Sequence, residues 1–128
     1  MSLGATGPLA VVHLALAAGV VLFAAIVFGL VGPLDTAEGS LYRWIWLGLA
    51  LAAVLVAGAL RSRLGTPGLD PRRRPALAVA IWALAEGQAI AGLVFYLVAG
   101  DSVPAAVGLL LFFYLWWRHR PGVLPGVE

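Results

Sequence analysis

A chain of 128 residues that is 62% hydrophobic and only 11% charged falls far below the roughly 25% charge of an ordinary water-soluble domain. One water-exposed domain of this size could not bury so much apolar surface, so lipid is the expected solvent. The absence of cysteine excludes disulfides, zinc–thiolate sites and iron–sulfur ligation, while the net charge of +2, carried by arginines beside apolar runs, reads as membrane topology and not as a nucleic-acid surface.

The first apolar run extends from Pro8 to Val31. Proline suits a first helical turn, and Gly32-Pro33 is a stop signal. The run lacks a basic segment before it and exceeds the apolar region of a secretory leader, so it is expected to be retained. The second run goes from Leu41 to Leu60, and the third, opened by Arg74-Pro75, from Pro75 to Ala99. The fourth and shortest spans Val103 to Trp117, with Asp101-Ser102 offering an N-cap before Pro104. Runs at or near the roughly 18-residue spanning length must satisfy their own backbone hydrogen bonds in hydrocarbon, which predicts helices. The alternation of a membrane β-barrel is absent. The expected fold is all-α, an integral membrane four-helix bundle forming a single transmembrane domain over residues 1–128, with helices about 8–31, 41–60, 75–99 and 103–117.

An internal match aligns Ala15–Gly19 with Ala83–Gly87, and the string RxRxG recurs at Arg61–Gly65 and Arg118–Gly122. This suggests two parallel helical hairpins.

Orientation follows from the arginines. Arg61, Arg63, Arg72, Arg73 and Arg74 follow the second run, and Arg118 and Arg120 follow the fourth. Arg43 alone shares the opposite side with Asp35, Glu38 and Asp101. By the positive-inside tendency, both termini and the central loop are cytoplasmic. Trp44 and Trp46 then mark the outer interface, and Trp116 and Trp117 the inner one. The lack of Lys and Asn amid abundant Ala, Leu, Val and Gly suggests a GC-rich bacterial genome and hence a bacterial inner membrane. The basic loop, Arg61, Arg63, Arg72, Arg73 and Arg74, is also a candidate lipid-head-group surface, although its commoner meaning is topogenic.

Glu86 stands midway along the third run. An ionised carboxylate at that depth has lost its water, at a cost of at least about 2.5–3.5 kcal/mol, and acids within membrane spans are by default ion or proton sites. The competing reading is a protonated acid that hydrogen-bonds a neighbouring helix. Gln88 and His13 are further polar candidates for an ion- or proton-binding site. His13 and His119 lie toward the same side and admit haem ligation, but at unmatched depths, so no cofactor and no metal are expected. Ala83, Gly87 and Ala91 repeat at helical spacing, the small-xxx-small pattern that lets helices pack closely.

The string ALAEGQAIAGLV, Ala83 to Val94, resembles the carboxylate-bearing helix of the proteolipid subunit c of rotary ATP synthases, where a pattern close to ALAEALAIYGLV surrounds the ion-binding Glu. The resemblance implies that Glu86 is a carboxylate that takes up and releases a proton or sodium ion within an oligomeric ring, and that Arg74-Pro75 echoes the family's polar loop. It covers this one helix. The second run, with only Gly48 and Gly58, lacks the family's glycine ladder.

The expected function is a small polytopic membrane protein with a protonatable intramembrane Glu, coupled to proton or ion movement within an oligomer. The alternative is a non-catalytic accessory or structural subunit of a larger membrane complex. No enzyme is expected, because no nucleophile, base and orienting group occur together. The expected partners are the lipid bilayer and either further copies of the chain or a membrane complex, with no nucleic acid.

Overall fold

The computed structural model describes residues 7–31 and 39–127, so the expected stop at Gly32-Pro33 and the acids Asp35 and Glu38 lie outside the described residues. Helix α1 covers Pro8–Ile26 and continues into a wide π-helical turn, Val27–Val31. Helix α2 covers Gly39–Leu64, a full turn beyond the expected end at Leu60. The extension has a physical cause, because Arg61 and Arg63 sit in the last turn, where cations meet the negative end of the helix dipole.

A short 3₁₀ turn, Pro71–Arg73, precedes helix α3, Arg74–Ala99. The Asp70 carboxylate caps that turn by accepting from the Arg72 amide at 3.0 Å. Gly100, at φ 72°, ends α3 in the left-handed conformation that glycine adopts without a Cβ clash; its amide donates to the Tyr96 carbonyl at 2.8 Å. Helix α4, Ser102–Arg118, is capped by Asp101, whose carboxylate accepts from the Val103 amide at 3.1 Å. The first three helices are long and apolar enough to cross a membrane. Helix α4 has 17 residues and is the shorter apolar element.

Helix α3 touches each of the others, α4 touches all three, and α1 and α2 make no contact with each other among the described residues. This corrects the expectation of two helical hairpins: α3 and α4 do pack as a hairpin, whereas α1 lies beside α3 and away from α2. The reason is the width of each buried stripe. Helix α1 and its π-helical turn bury His13, Ala17, Val20 and Val27, and α2 buries Trp46, Ala50, Ala53, Ala57 and Leu64, single rows at three-, four- and seven-residue spacing. Helix α3 buries a broader face that includes Ala78, Ile81, Trp82, Ala85, Gln88, Ala89 and Leu93, enough for neighbours on two sides.

Closest approach falls where α3 and α4 present glycine. A Cβ built on Gly92 would stand 2.5 Å from the Pro104 carbonyl oxygen, so the two backbones meet there. Outward from this core, Leu14 and Leu22 on α1, Leu30 in the π-helical turn, Leu51 and Leu55 on α2 and Leu110 on α4 are exposed, as suits lipid-facing positions.

After α4 the chain folds back across the arginine-bearing end. Leu124 and Val127 are buried in a cluster with Leu64, Ala78, Ile81 and Trp82. Arg74 holds the turn down by donating from Nη1 to the carbonyls of Leu64 and Pro125, at 2.8 and 3.0 Å.

Candidate functional site

In a bilayer, apolar contact alone gives helices little reason to associate, so polar ties and close packing decide the arrangement. The described residues form such ties at three levels.

At the arginine end, one connected group links all four helices. His13 of α1 donates from Nε2 to the Trp116 carbonyl of α4 at 2.8 Å, and Trp116 returns a bond from Nε1 to the His13 carbonyl at 2.8 Å. The His13 ring also lies 4.8 Å from the Trp82 ring of α3. Trp82 in turn donates to the His119 carbonyl at 2.7 Å. Arg61 of α2 completes the group, its Nη1 reaching the Arg118 carbonyl at 2.9 Å and His119 Nδ1 at 3.2 Å. Burial first, and then the positive charges of Arg61 and Arg118, push the His119 pKa down to about 4. The ring is therefore neutral at pH 7 and free to accept at Nδ1 from the guanidinium.

The middle level joins α2, α3 and α4. Trp46 Nε1 donates to the Gln88 carbonyl at 3.1 Å, and the Gln88 side-chain amide donates to the carbonyls of Ala85 at 3.1 Å and Gly108 at 2.8 Å. Gln88 Oε1 is buried without a hydrogen-bond partner. Turning the amide over would set that oxygen against two carbonyl oxygens, so the observed orientation is the favourable one. Trp46 is 5% exposed, which corrects its expected place in the outer aromatic belt, whereas Trp44 is 70% exposed. An indole N–H buried in an apolar span needs an acceptor, and the Gln88 carbonyl supplies it.

At the opposite end, Arg43 forms a two-pronged pair with Asp101 at 2.8 and 2.9 Å. This hydrogen-bonded guanidinium holds the Asp101 carboxyl below its ordinary pKa.

Glu86 belongs to none of these levels. It is half-buried on α3, one turn from Trp82 and two turns from Leu93 by helical spacing, and its carboxyl has no hydrogen-bond or ion-pair partner among the described residues. Gln88 and His13, its expected companions, are instead engaged in helix-to-helix bonds, and neither bonds to Glu86. The small residues divide between two faces. Ala85, Ala89 and Gly92 are buried in the bundle, whereas Ala83 and Gly87 are exposed and Ala91 is half-buried. Ala83 and Gly87 line one wall of an apolar cleft of about 320 Å³, opposite Leu49, Ala52 and Val56 of α2.

Of the basic loop, Arg61 and Arg74 are bonded to the protein as described, while Arg63, Arg72 and Arg73 are exposed. The imidazoles of His13 and His119 meet different partners, the Trp116 carbonyl and the Arg61 guanidinium, and no group of three or more His, Cys, Asp or Glu able to hold a metal occurs among the described residues. The sequence signal for the indole ties was present but ambiguous. Trp46, Trp82 and Trp116 each fall on the apolar face of a helix, where an interfacial anchor and an interior hydrogen-bond donor look alike until the neighbouring helix is placed.

No family model, curated protein or solved structure matches this chain.

Proposed function

We propose that this chain is a membrane-embedded subunit whose Glu86 takes up and releases a proton at a contact with another membrane-embedded chain. One observation carries the reading: a carboxyl midway along an apolar helix of 26 residues is left without a partner while the other buried polar groups of the spans, His13 and Gln88, are bonded within the chain. A lone acid in hydrocarbon is costly to ionise, so a proton or a partner from outside must satisfy it. The half-exposed position of Glu86 also agrees with the resemblance of Ala83–Val94 to the proteolipid helix, where a lipid-facing carboxylate takes up and releases the ion. The test is proton flux into proteoliposomes. Flux with the native chain and its collapse in Glu86→Gln is the expected result, and either equal flux in both or none with the native chain overturns the proposal.

A second reading, an accessory subunit that packs on a larger membrane assembly, is favoured by the engagement of Trp46, Trp82 and Trp116 in helix-to-helix bonds, which makes the bundle a scaffold. On that reading Glu86 donates a hydrogen bond to the neighbouring subunit. Purification under mild detergent separates the two, because a free-standing homo-oligomer supports the first and co-isolation with a large complex the second. In either case the positive-inside tendency favours a cytoplasmic arginine end, and no covalent catalysis is proposed.

A further inference from the structure

The arginines at one end of the bundle are not equivalent. Arg61 and Arg74 point inward, to the Arg118 carbonyl and His119 in one case and to the Leu64 and Pro125 carbonyls in the other. Arg63, Arg72, Arg73 and Arg118 are exposed, and their guanidinium groups have no hydrogen-bond or ion-pair partner among the described residues. Asp70 is the one described acid in that loop, and it faces the Arg72 amide as a turn cap. The loop is shaped by Pro67, by Gly68 at φ 78° and by the Pro71–Arg73 turn, so Arg72 and Arg73 stand on a set backbone. They follow the end of α2 at Leu64, at the same end of the bundle as Trp117, which is 60% exposed and carries the Arg120 guanidinium at 4.2 Å over its ring.

From this placement we infer that Arg63, Arg72, Arg73 and Arg118 form a binding surface for anionic phospholipid head groups. A guanidinium presents parallel donors matched to a phosphate, and a location against the hydrocarbon edge selects a phosphate tethered to acyl chains over one free in water. Cations there attract the anionic leaflet strongly enough that each is worth about fivefold in binding. The inward pair, Arg61 and Arg74, belongs to the fold, and the four outward arginines belong to the lipid.

The experiment is native mass spectrometry of the intact chain in non-ionic detergent with equimolar phosphatidylglycerol and phosphatidylcholine. Adducts with phosphatidylglycerol should exceed those with phosphatidylcholine by about tenfold or more. The combined variant Arg63→Gln, Arg72→Gln, Arg73→Gln should cut the ratio sharply, leaving only the contribution of Arg118, and Arg43→Gln, at the opposite end, should leave it unchanged. Should the triple variant fail to fold by circular dichroism, Arg72→Gln and Arg73→Gln alone should each lower the ratio about fivefold. Equal retention of both lipids by the native chain, an undiminished preference in the variants, or displacement of bound phosphatidylglycerol by 10 mM inorganic phosphate each overturns the inference.

Discussion

His13 and Trp116 exchange hydrogen bonds in both directions while their rings stack at 4.4 Å, with an angle of 1° between the planes. Each residue donates from its ring to the other's main-chain carbonyl at 2.8 Å, so the pair fixes the rotation of α1 about its own axis and its height against α4. That is much to ask of one contact. Helix α1 has only a narrow buried stripe, and it has no second neighbour in α2.

Breaking the pair should therefore loosen α1 selectively. His13→Ala removes one donor, opens a space beside Trp82 and leaves the Trp116 carbonyl without its side-chain partner, at a cost of about 1–3 kcal/mol. Thermal unfolding in detergent, followed by tryptophan fluorescence, should show a lowered midpoint. Trp116→Phe keeps much of the stack and loses one bond, so its midpoint should fall between those of the native chain and His13→Ala. The reverse order would show that ring packing contributes nothing here.

The α3–α4 contact predicts opposite outcomes for two glycines on one helix. Gly92→Ala places a methyl 2.5 Å from the Pro104 carbonyl oxygen and 3.2 Å from Trp46 Nε1, and main-chain atoms cannot yield cheaply. Overpacking of this kind costs about 1–3 kcal/mol. Gly87→Ala meets nothing within 4 Å and should be neutral or slightly stabilising through helix propensity. Denaturation midpoints of the two variants in one detergent provide the comparison, and a stability loss for Gly87→Ala would mean that another molecule covers the cleft.

These contrasts show where the sequence was legible. Hydropathy and length locate the helices because hydrocarbon leaves the backbone no other choice, and the Asp101 cap marks the start of α4 by local chemistry. The neighbour relations were not legible, because a single stripe such as Ala50, Ala53 and Ala57 states that α2 packs but not against what. For the same reason the small residues of α3 do not sort by sequence: Ala85 and Ala89 face the bundle and Ala83 and Gly87 face outward, yet all are small and apolar. Glu86 stood out from sequence as an acid in an apolar run. Its lack of a partner became visible only when Gln88 and His13 were found bonded elsewhere.

Gln88 offers a test of the middle tie. Its amide makes two bonds but leaves Oε1 buried and unpaired, so the gain and the desolvation penalty, each on the order of 1 kcal/mol, oppose one another. Gln88→Leu should change the unfolding midpoint little. Gln88→Glu places acceptor oxygens against the carbonyls of Ala85 and Gly108, and its midpoint should drop clearly below that of the leucine variant. Similar midpoints for both would indicate that water reaches this level.

The folded-back tail depends on a glycine as well as on arginine. Gly126 has φ 69°, and a Cβ there would stand 2.5 Å from Arg74 Nη1. Gly126→Ala should cost about 1–2 kcal/mol of backbone strain and displace the Arg74 guanidinium. Amide exchange at Leu124 and Val127 should accelerate while exchange within α3 stays as it was.

Acid should open the same end of the molecule, by a route whose sign is set by His119. In the folded chain this imidazole has a pKa of about 4, against 6.5 when unburied. Between those values the unfolded tail binds a proton that the folded one does not, so stability rises with pH across the interval and is lost as pH falls from about 6.5 toward 4. Protonation would set a third cation against Arg61 and Arg118 and remove the acceptor at Nδ1 that Arg61 now uses at 3.2 Å. Asp101 weakens the opposite end in a lower window: its carboxyl is held below the ordinary 3.8 by Arg43, so its contribution is present above that value and declines below it. Amide exchange of the tail at pH 7 and pH 4.5 should therefore differ more than exchange near Asp101. His119→Gln keeps an acceptor and cannot titrate, so it should flatten the dependence. A tail equally protected at both pH values in the native chain would show that the folded-back segment is held without the histidine.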